Sequence, residues 1–75
     1  MNIKDKAAGV RRLLQDEMFQ YILESIKEEQ GNVFFEPLTS EEEREEAHTI
    51  IRALSKIENR IAQILQDEAI FDKRQ

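Results

Sequence analysis

Apolar residues recur at alternating steps of three and four between Ala47 and Phe71. This seven-residue spacing places one apolar seam along an α-helix, and such a seam is buried against other helices. A charge, Glu68, breaks the pattern at one position. The chain must therefore fold by packing helix on helix, and the seam residues predicted to form a core or interaction surface are Ile50, Leu54, Ile57, Ile61, Ile64 and Phe71.

The helix that bears this seam is predicted over about 40–73. Ser40 followed by Glu43, or Thr39 followed by Glu42, makes a capping box at its start. No glycine or proline follows in the sequence, so the helix is expected to be about 50 Å long at 1.5 Å per residue. A second apolar row, Ile51 and Leu65, widens the face beyond a two-stranded zipper and favours a three- or four-helix arrangement.

A first helix is predicted over about 4–30. Its apolar stripe is spaced mostly by four residues, so the stripe drifts around the helix. Gly31 and Asn32 are predicted to end it, because both tolerate the left-handed conformation that closes helices. The stripe residues expected to face the seam are Val10, Leu14, Met18, Ile22 and Ile26.

The predicted loop, 31–39, contains bulky apolar residues and is not a typical solvated connection. Phe34 and Phe35 are adjacent, and Pro37 favours an extended backbone at Glu36. Two interpretations stand: the phenylalanines cover the end of the helical core, or they are exposed anchors for a partner, since aromatic residues are enriched at interface hot spots.

Together these signals predict an all-α protein with a single domain over 1–75, an antiparallel two-helix hairpin. One drifting helix cannot cover the wide seam of the other. We therefore expect the hairpin to assemble into a helical bundle or coiled-coil oligomer, at least a dimer.

Composition argues against catalysis and bound cofactors. The 75 residues include no cysteine, one histidine (His48, expected at the surface) and two glycines. Thiolate or histidine metal clusters and glycine-rich phosphate loops are therefore excluded. We expect no enzyme, metal or cofactor. The net charge of −5 opposes general affinity for nucleic acid, and the absence of a long apolar run predicts a soluble, cytoplasmic protein.

Charge is unevenly distributed. The first fourteen residues carry +3, whereas the segment from Glu36 to Glu46 carries −5. The acidic run is typical of a solvated first turn near a helix dipole. An alternative is a partner surface, formed by Glu41, Glu42 and Glu45, that imitates nucleic acid.

Glu68 has two interpretations as well. Either the last turn of the helix frays into water, or a polar seam residue fixes register or oligomeric state. Arg11 or Arg12 of an antiparallel first helix would be within reach.

The segment "PLTSEEEREEAHTIIRALSKIENRIAQIL", preceded by "EMFQYILESI", resembles small helical proteins encoded by tailed bacteriophages. The resemblance covers roughly residues 16–65, and it implies an accessory or assembly role without functional residues to transfer.

The function expected is therefore that of a non-enzymatic oligomerising or adaptor protein. It would act in virion assembly or DNA packaging, in the host cytoplasm or on the virion, and would bind itself and another protein. The alternative is an acidic inhibitor of a basic host or phage protein.

Overall fold

The computed structural model describes residues 1–74, which fold into three α-helices and no strand. The helices are α1 (Ile3–Gln15), α2 (Glu17–Phe35) and α3 (Glu41–Lys73). The prediction of an all-α protein is confirmed. Three helices replace the two that were expected.

The first two helices, α1 and α2, run antiparallel to α3. Four side-chain pairs establish this, because the residue number rises on one side as it falls on the other. From one end of the molecule to the other, the pairs are Lys4–Asp72, Arg11–Glu68, Lys27–Glu58 and Phe34–His48.

The single helix predicted over 4–30 is wrong, because the chain breaks at Asp16. Its backbone is extended (φ −79°, ψ 115°), and its carboxylate accepts a hydrogen bond from the Phe19 amide at 2.9 Å. Aspartate is a strong N-cap residue since it satisfies a free amide of the new helix. Asp16 therefore ends α1 and starts α2 at the same point.

The predicted stop at Gly31 and Asn32 is also wrong. Both residues lie inside α2, and no described residue has a positive φ. The helix continues to Phe35 and ends before Pro37, whose ring disfavours helical backbone at Glu36. The connection therefore comprises residues 36–40 instead of 31–39.

The predicted start of the long helix is confirmed within one residue. Ser40 is the N-cap, and its hydroxyl and the Glu43 carboxylate form a capping box. Thr39 has another role, since its hydroxyl donates toward the backbone carbonyls of Val33 and Glu36. These bonds tie the short connection to the end of α2.

The core of the folded chain is thin. Its buried apolar residues are Ala7, Val10, Ala47 and Leu54, and no large side chain among residues 1–74 is fully buried. The molecule measures 56 × 23 × 18 Å, with a radius of gyration of 16.4 Å. A compact domain of this length would have a radius of about 11 Å. One hairpin is therefore a rod with little interior.

Candidate assembly surface

The seam of α3 is unevenly buried in the single chain. Leu54 is 7% exposed, whereas Ile57, one turn further on, is 47% exposed. Ile50, Ile61 and Ile64 are half-buried, and Phe71 is exposed at the far end. The prediction that Ile57 is buried against the first helix is therefore wrong for the single chain, and Phe71 is exposed as well.

The stripe expected to cover the seam is also only partly in place. Val10 is buried and Ile26 half-buried, but Leu14, Met18 and Ile22 are exposed. The break at Asp16 separates α1 from α2 where continuous helix would have been needed. Since the stripe also drifts, the apolar residues around the break lie beside α3 and leave its middle uncovered.

An open apolar groove of about 540 Å³ occupies this uncovered middle. Its apolar lining comes from the α1–α2 junction and from α3, and Lys56 and Arg60 form its edge. Leu13, Phe19 and Ala53 belong to neither the predicted seam nor the stripe predicted to face it. The signal that would have found them was the Asp16 cap, which changes the face that α2 presents. The apolar lining residues are Leu13, Phe19, Ala53, Ile57 and Ile61.

A second groove, of about 520 Å³, continues toward the end of the hairpin. It lies between Ile3 and Ile64, and it shares Arg60 with the first groove. The two grooves together form one long valley between the helices. We call this side of the molecule the valley face.

The opposite side of the hairpin is closed by an ion pair. Lys27 of α2 donates to the Glu58 carboxylate of α3 at 2.9 Å. This hydrogen bond raises the pKa of Lys27. A smaller groove of about 240 Å³ also lies on this side, between Leu14, Leu23 and Leu65. The valley face therefore presents the larger recess.

Glu68 lies in an ionic cluster where α1 meets α3. It is 8% exposed, and the Arg11 guanidinium binds its two oxygens at 2.7 and 3.0 Å. This pairing lowers the pKa of Glu68 to about 2. Of the two arginines predicted to reach it, Arg11 makes the contact. The interpretation of Glu68 as part of a frayed end is wrong.

Lys4 joins the same cluster. Its ammonium pairs with Asp72 and lies 3.4 Å from Glu68, and the hydrogen bond to Asp72 raises the pKa of Lys4. The Lys4 ammonium also lies 6.0 Å from the centroid of the Phe71 ring. The basic N-terminal segment is therefore used within the fold to satisfy acids of α3, not the acidic run near the connection.

The two phenylalanines near the connection differ. The Phe34 ring packs on His48 with centroids 4.7 Å apart, whereas Phe35 is 86% exposed. Leu38, also in this region, is 90% exposed. Phe34 thus contacts α3, as expected for a residue that covers the end of the hairpin, and Phe35 does not.

The acidic run lies in the first turns of α3 and is exposed. Glu43 serves the capping box. Within residues 1–74, Glu41, Glu42 and Glu45 are exposed and take part in no ion pair. The described part of the chain brings together no group of three or more acidic or histidine side chains able to hold a metal ion.

Over the same residues, no helix has the length and apolarity needed to cross a membrane. Compared with known protein families, curated proteins and solved structures, the chain matches none of them. The first groove, between the α1–α2 junction and α3, is the recess with the mainly apolar lining.

Proposed function

We propose that this chain is a non-enzymatic oligomerising or adaptor protein that works through helix-mediated assembly. The observation that supports it is the exposed middle of the seam, where Ile57 lies open beside an apolar groove. Soluble monomers rarely leave large contiguous apolar patches exposed, and such patches mark interaction sites.

The total surface supports the same proposal. The chain exposes 6170 Å². A folded monomer of 8.9 kDa is expected to expose about 4,800 Å². The excess is more than the roughly 800 Å² that each partner contributes to a standard interface. Self-association would bring the exposed surface close to that of a compact protein.

The setting that we propose is assembly of a bacteriophage virion or packaging of its DNA, in the host cytoplasm or on the particle. The resemblance to small helical phage proteins supports it. As an adaptor, the protein would bind a second protein in addition to its own copies, and Phe35 and the exposed Leu38 beside it suit such a contact.

A second candidate function is inhibition of a basic protein by imitation of nucleic acid. The exposed carboxylates of Glu41, Glu42 and Glu45, which form no ion pair within residues 1–74, favour it. A monomer in solution would support inhibition over assembly, because a chain that does not self-associate cannot act by oligomerisation.

Sedimentation of the purified protein at micromolar concentration tests the proposal. We expect a mass of at least two chains, and a monomer for Ile57→Glu, which places a charge in the groove. Ile70→Glu is the matched control, because Ile70 is an exposed isoleucine of the same helix that lines none of the three grooves. A wild-type mass of one chain, with a melting temperature independent of concentration, would contradict the proposal.

A further inference from the structure

Where α2 and α3 border the valley face, its two edges carry opposite charge. On α2, four glutamates are exposed, and the single lysine, Lys27, is engaged by Glu58 on the other side. On α3, three cations follow at steps of four and are all exposed. Glu24 lies 4.0 Å from Lys27 on that other side, so the edge residues are Glu28 and Glu29 on α2, and Arg52, Lys56 and Arg60 on α3.

Helical geometry places the exposed apolar residues of α2 on the valley face. At 100° per residue, Lys27 lies about 180° from Met18, so Met18 is on the side away from the Lys27–Glu58 pair. Ile22 and Glu29 lie within about 40° of Met18. Met18 and Ile22 are exposed and apolar, and Glu29 continues their row with a charge.

The same geometry applies to α3. Ile57 and Glu58 lie on either side of the buried Leu54, at about 60° and 40° from it. Because Glu58 faces Lys27, Ile57 and the neighbouring Ala53 belong to the valley face, as their place in the groove shows. The face thus has apolar residues on both helices, an acidic α2 edge and a basic α3 edge.

We infer that the occupant of the valley face is a second copy of this chain, packed face to face about a twofold axis parallel to the long axis of the hairpin. The inference rests on the proposed self-association and specifies its surface. Each α2 then lies over the partner's α3, and the Lys27–Glu58 pair sets the heights, so Ile22 meets the partner's seam between Ile61 and Ile64. The result is a four-helix arrangement in which neighbouring helices are antiparallel.

Charge selects this axis over the other twofold available to stacked faces. An axis in the same plane but perpendicular to the helices reverses the heights and places α3 on α3, which brings the basic rows of the two copies together. An axis parallel to the helices places the acidic edge of each copy on the basic edge of the other. Juxtaposed like charges disfavour a wrong arrangement strongly, whereas complementary edges favour the correct one.

The acidic residues of α2 and the basic residues of α3 also match in position along the long axis of the hairpin. The Lys27–Glu58 ion pair puts Glu28 level with the α3 turn that contains Lys56 and Arg60. Rotation about a twofold axis parallel to the helices does not change the position of any residue along that axis. Glu28 and Glu29 of one copy therefore meet Lys56 and Arg60 of the other, and a symmetric dimer contains this contact twice.

Paired charge reversals test the arrangement by sedimentation or native mass spectrometry. Lys56→Glu/Arg60→Glu makes both edges acidic, and Glu28→Lys/Glu29→Lys makes the contacting turns of both edges basic. Each double variant alone should have its dimer dissociation constant raised by about 100-fold or more, because like charges then face each other. An equimolar mixture of the two should form a mixed dimer, since opposite charges again meet at both contacts.

Arg12→Glu/Arg74→Glu is the matched control for Lys56→Glu/Arg60→Glu, with the same change in net charge at two exposed positions that line none of the grooves. It should remain dimeric, and thermal melts followed by circular dichroism confirm that each variant is folded. A dimeric wild type whose charge-reversed variants both remain dimeric, or whose variants fail to combine, overturns this arrangement and leaves self-association intact. A monomeric wild type overturns the proposed function itself.

Discussion

Seam residues are buried differently at the end of the hairpin, where α1 meets α3, and in the middle, where α2 lies against α3. At the end, the seam position is a glutamate, and it is buried. In the middle, the seam position is Ile57, and it is half exposed. Burial is therefore decided by what the opposite helix supplies at each level, and the polarity of the residue does not predict it.

The opposite helix differs at the two levels. At the end, α1 offers the small residues Ala7 and Val10, both buried, so the helices pack closely. Arg11 and Lys4 then supply the charges that a buried carboxylate needs. In the middle, Lys27 of α2 pairs with Glu58 on one side of the seam, and Ile57 on the other side faces the open groove.

The largest expected effect is the difference in stability loss between truncating a buried seam residue and truncating an exposed one. Leu54→Ala should lower the free energy of unfolding by about 2–5 kcal/mol at any protein concentration, because Leu54 lies in the core of one chain. Ile57→Ala should cost less than about 1 kcal/mol in dilute protein and more in concentrated protein, where an assembled state would cover it.

Urea unfolding over a range of protein concentrations measures both effects. Equal losses for the two variants in dilute protein would show that the single chain covers Ile57 as well as Leu54. A loss for Ile57→Ala that does not grow with concentration would remove this residue from the assembly surface.

The sequence predicted the long helix well because its signals are local and agree. The Ser40 cap, the absence of breakers and the seven-residue repeat all lie within α3 itself. The break at Asp16 was missed because the apolar stripe continues across it, although Asp16 is a good N-cap residue. The end of α2 was misplaced because glycine permits the left-handed conformation without requiring it, and Pro37 was the stronger signal.

The candidate site was only partly predictable for a related reason. The seam residues could be predicted from the sequence of α3 alone. Arg11 was one of the two arginines predicted to reach Glu68. Which seam residues stay exposed depends on how α2 lies against α3, and that follows from the break at Asp16. Leu13, Phe19 and Ala53 belong to the groove through this packing, which no local pattern specifies.

The next largest effect is expected from the N-cap residue of α2, Asp16. Asp16→Ala removes the acceptor for the Phe19 amide and should lower the free energy of unfolding by about 0.5–2 kcal/mol. Asp16→Asn is the control, because it retains the capping oxygen. Circular dichroism melts measure the difference, and equal stability of Asp16→Ala and wild type would mean that the junction does not depend on this cap.

A comparable effect is expected at the start of α3. Replacement of both Thr39 and Ser40 by alanine removes the N-cap and the bonds to the carbonyls of Val33 and Glu36. The free energy of unfolding should fall by about 0.5–2 kcal/mol. Ser40→Ala alone should account for the loss of the capping box, whereas Thr39→Ala alone leaves it intact. No loss in the double variant would place the start of α3 elsewhere.

The smallest effect is expected from the ionic cluster at the closed end, because Arg11 and Lys4 are half exposed and water screens their charges. The pKa of Glu68 in the folded chain is about 2, below its ordinary value of 4.5. Its ionised form is therefore favoured by folding. The stability that it contributes is present in full above pH 4.5 and is lost as the pH falls toward 2.

Thermal melts between pH 7 and pH 2 should therefore show a smaller acid loss for Glu68→Gln than for the wild type, since the variant lacks this titration. The chain has other carboxylates, so Glu45→Gln, at an exposed glutamate outside any ion pair of the described residues, is the matched control. Its acid loss should equal that of the wild type. Parallel curves for Glu68→Gln and Glu45→Gln would mean that the Glu68–Arg11 pair does not stabilise the closed end, and that small apolar residues alone hold α1 against α3.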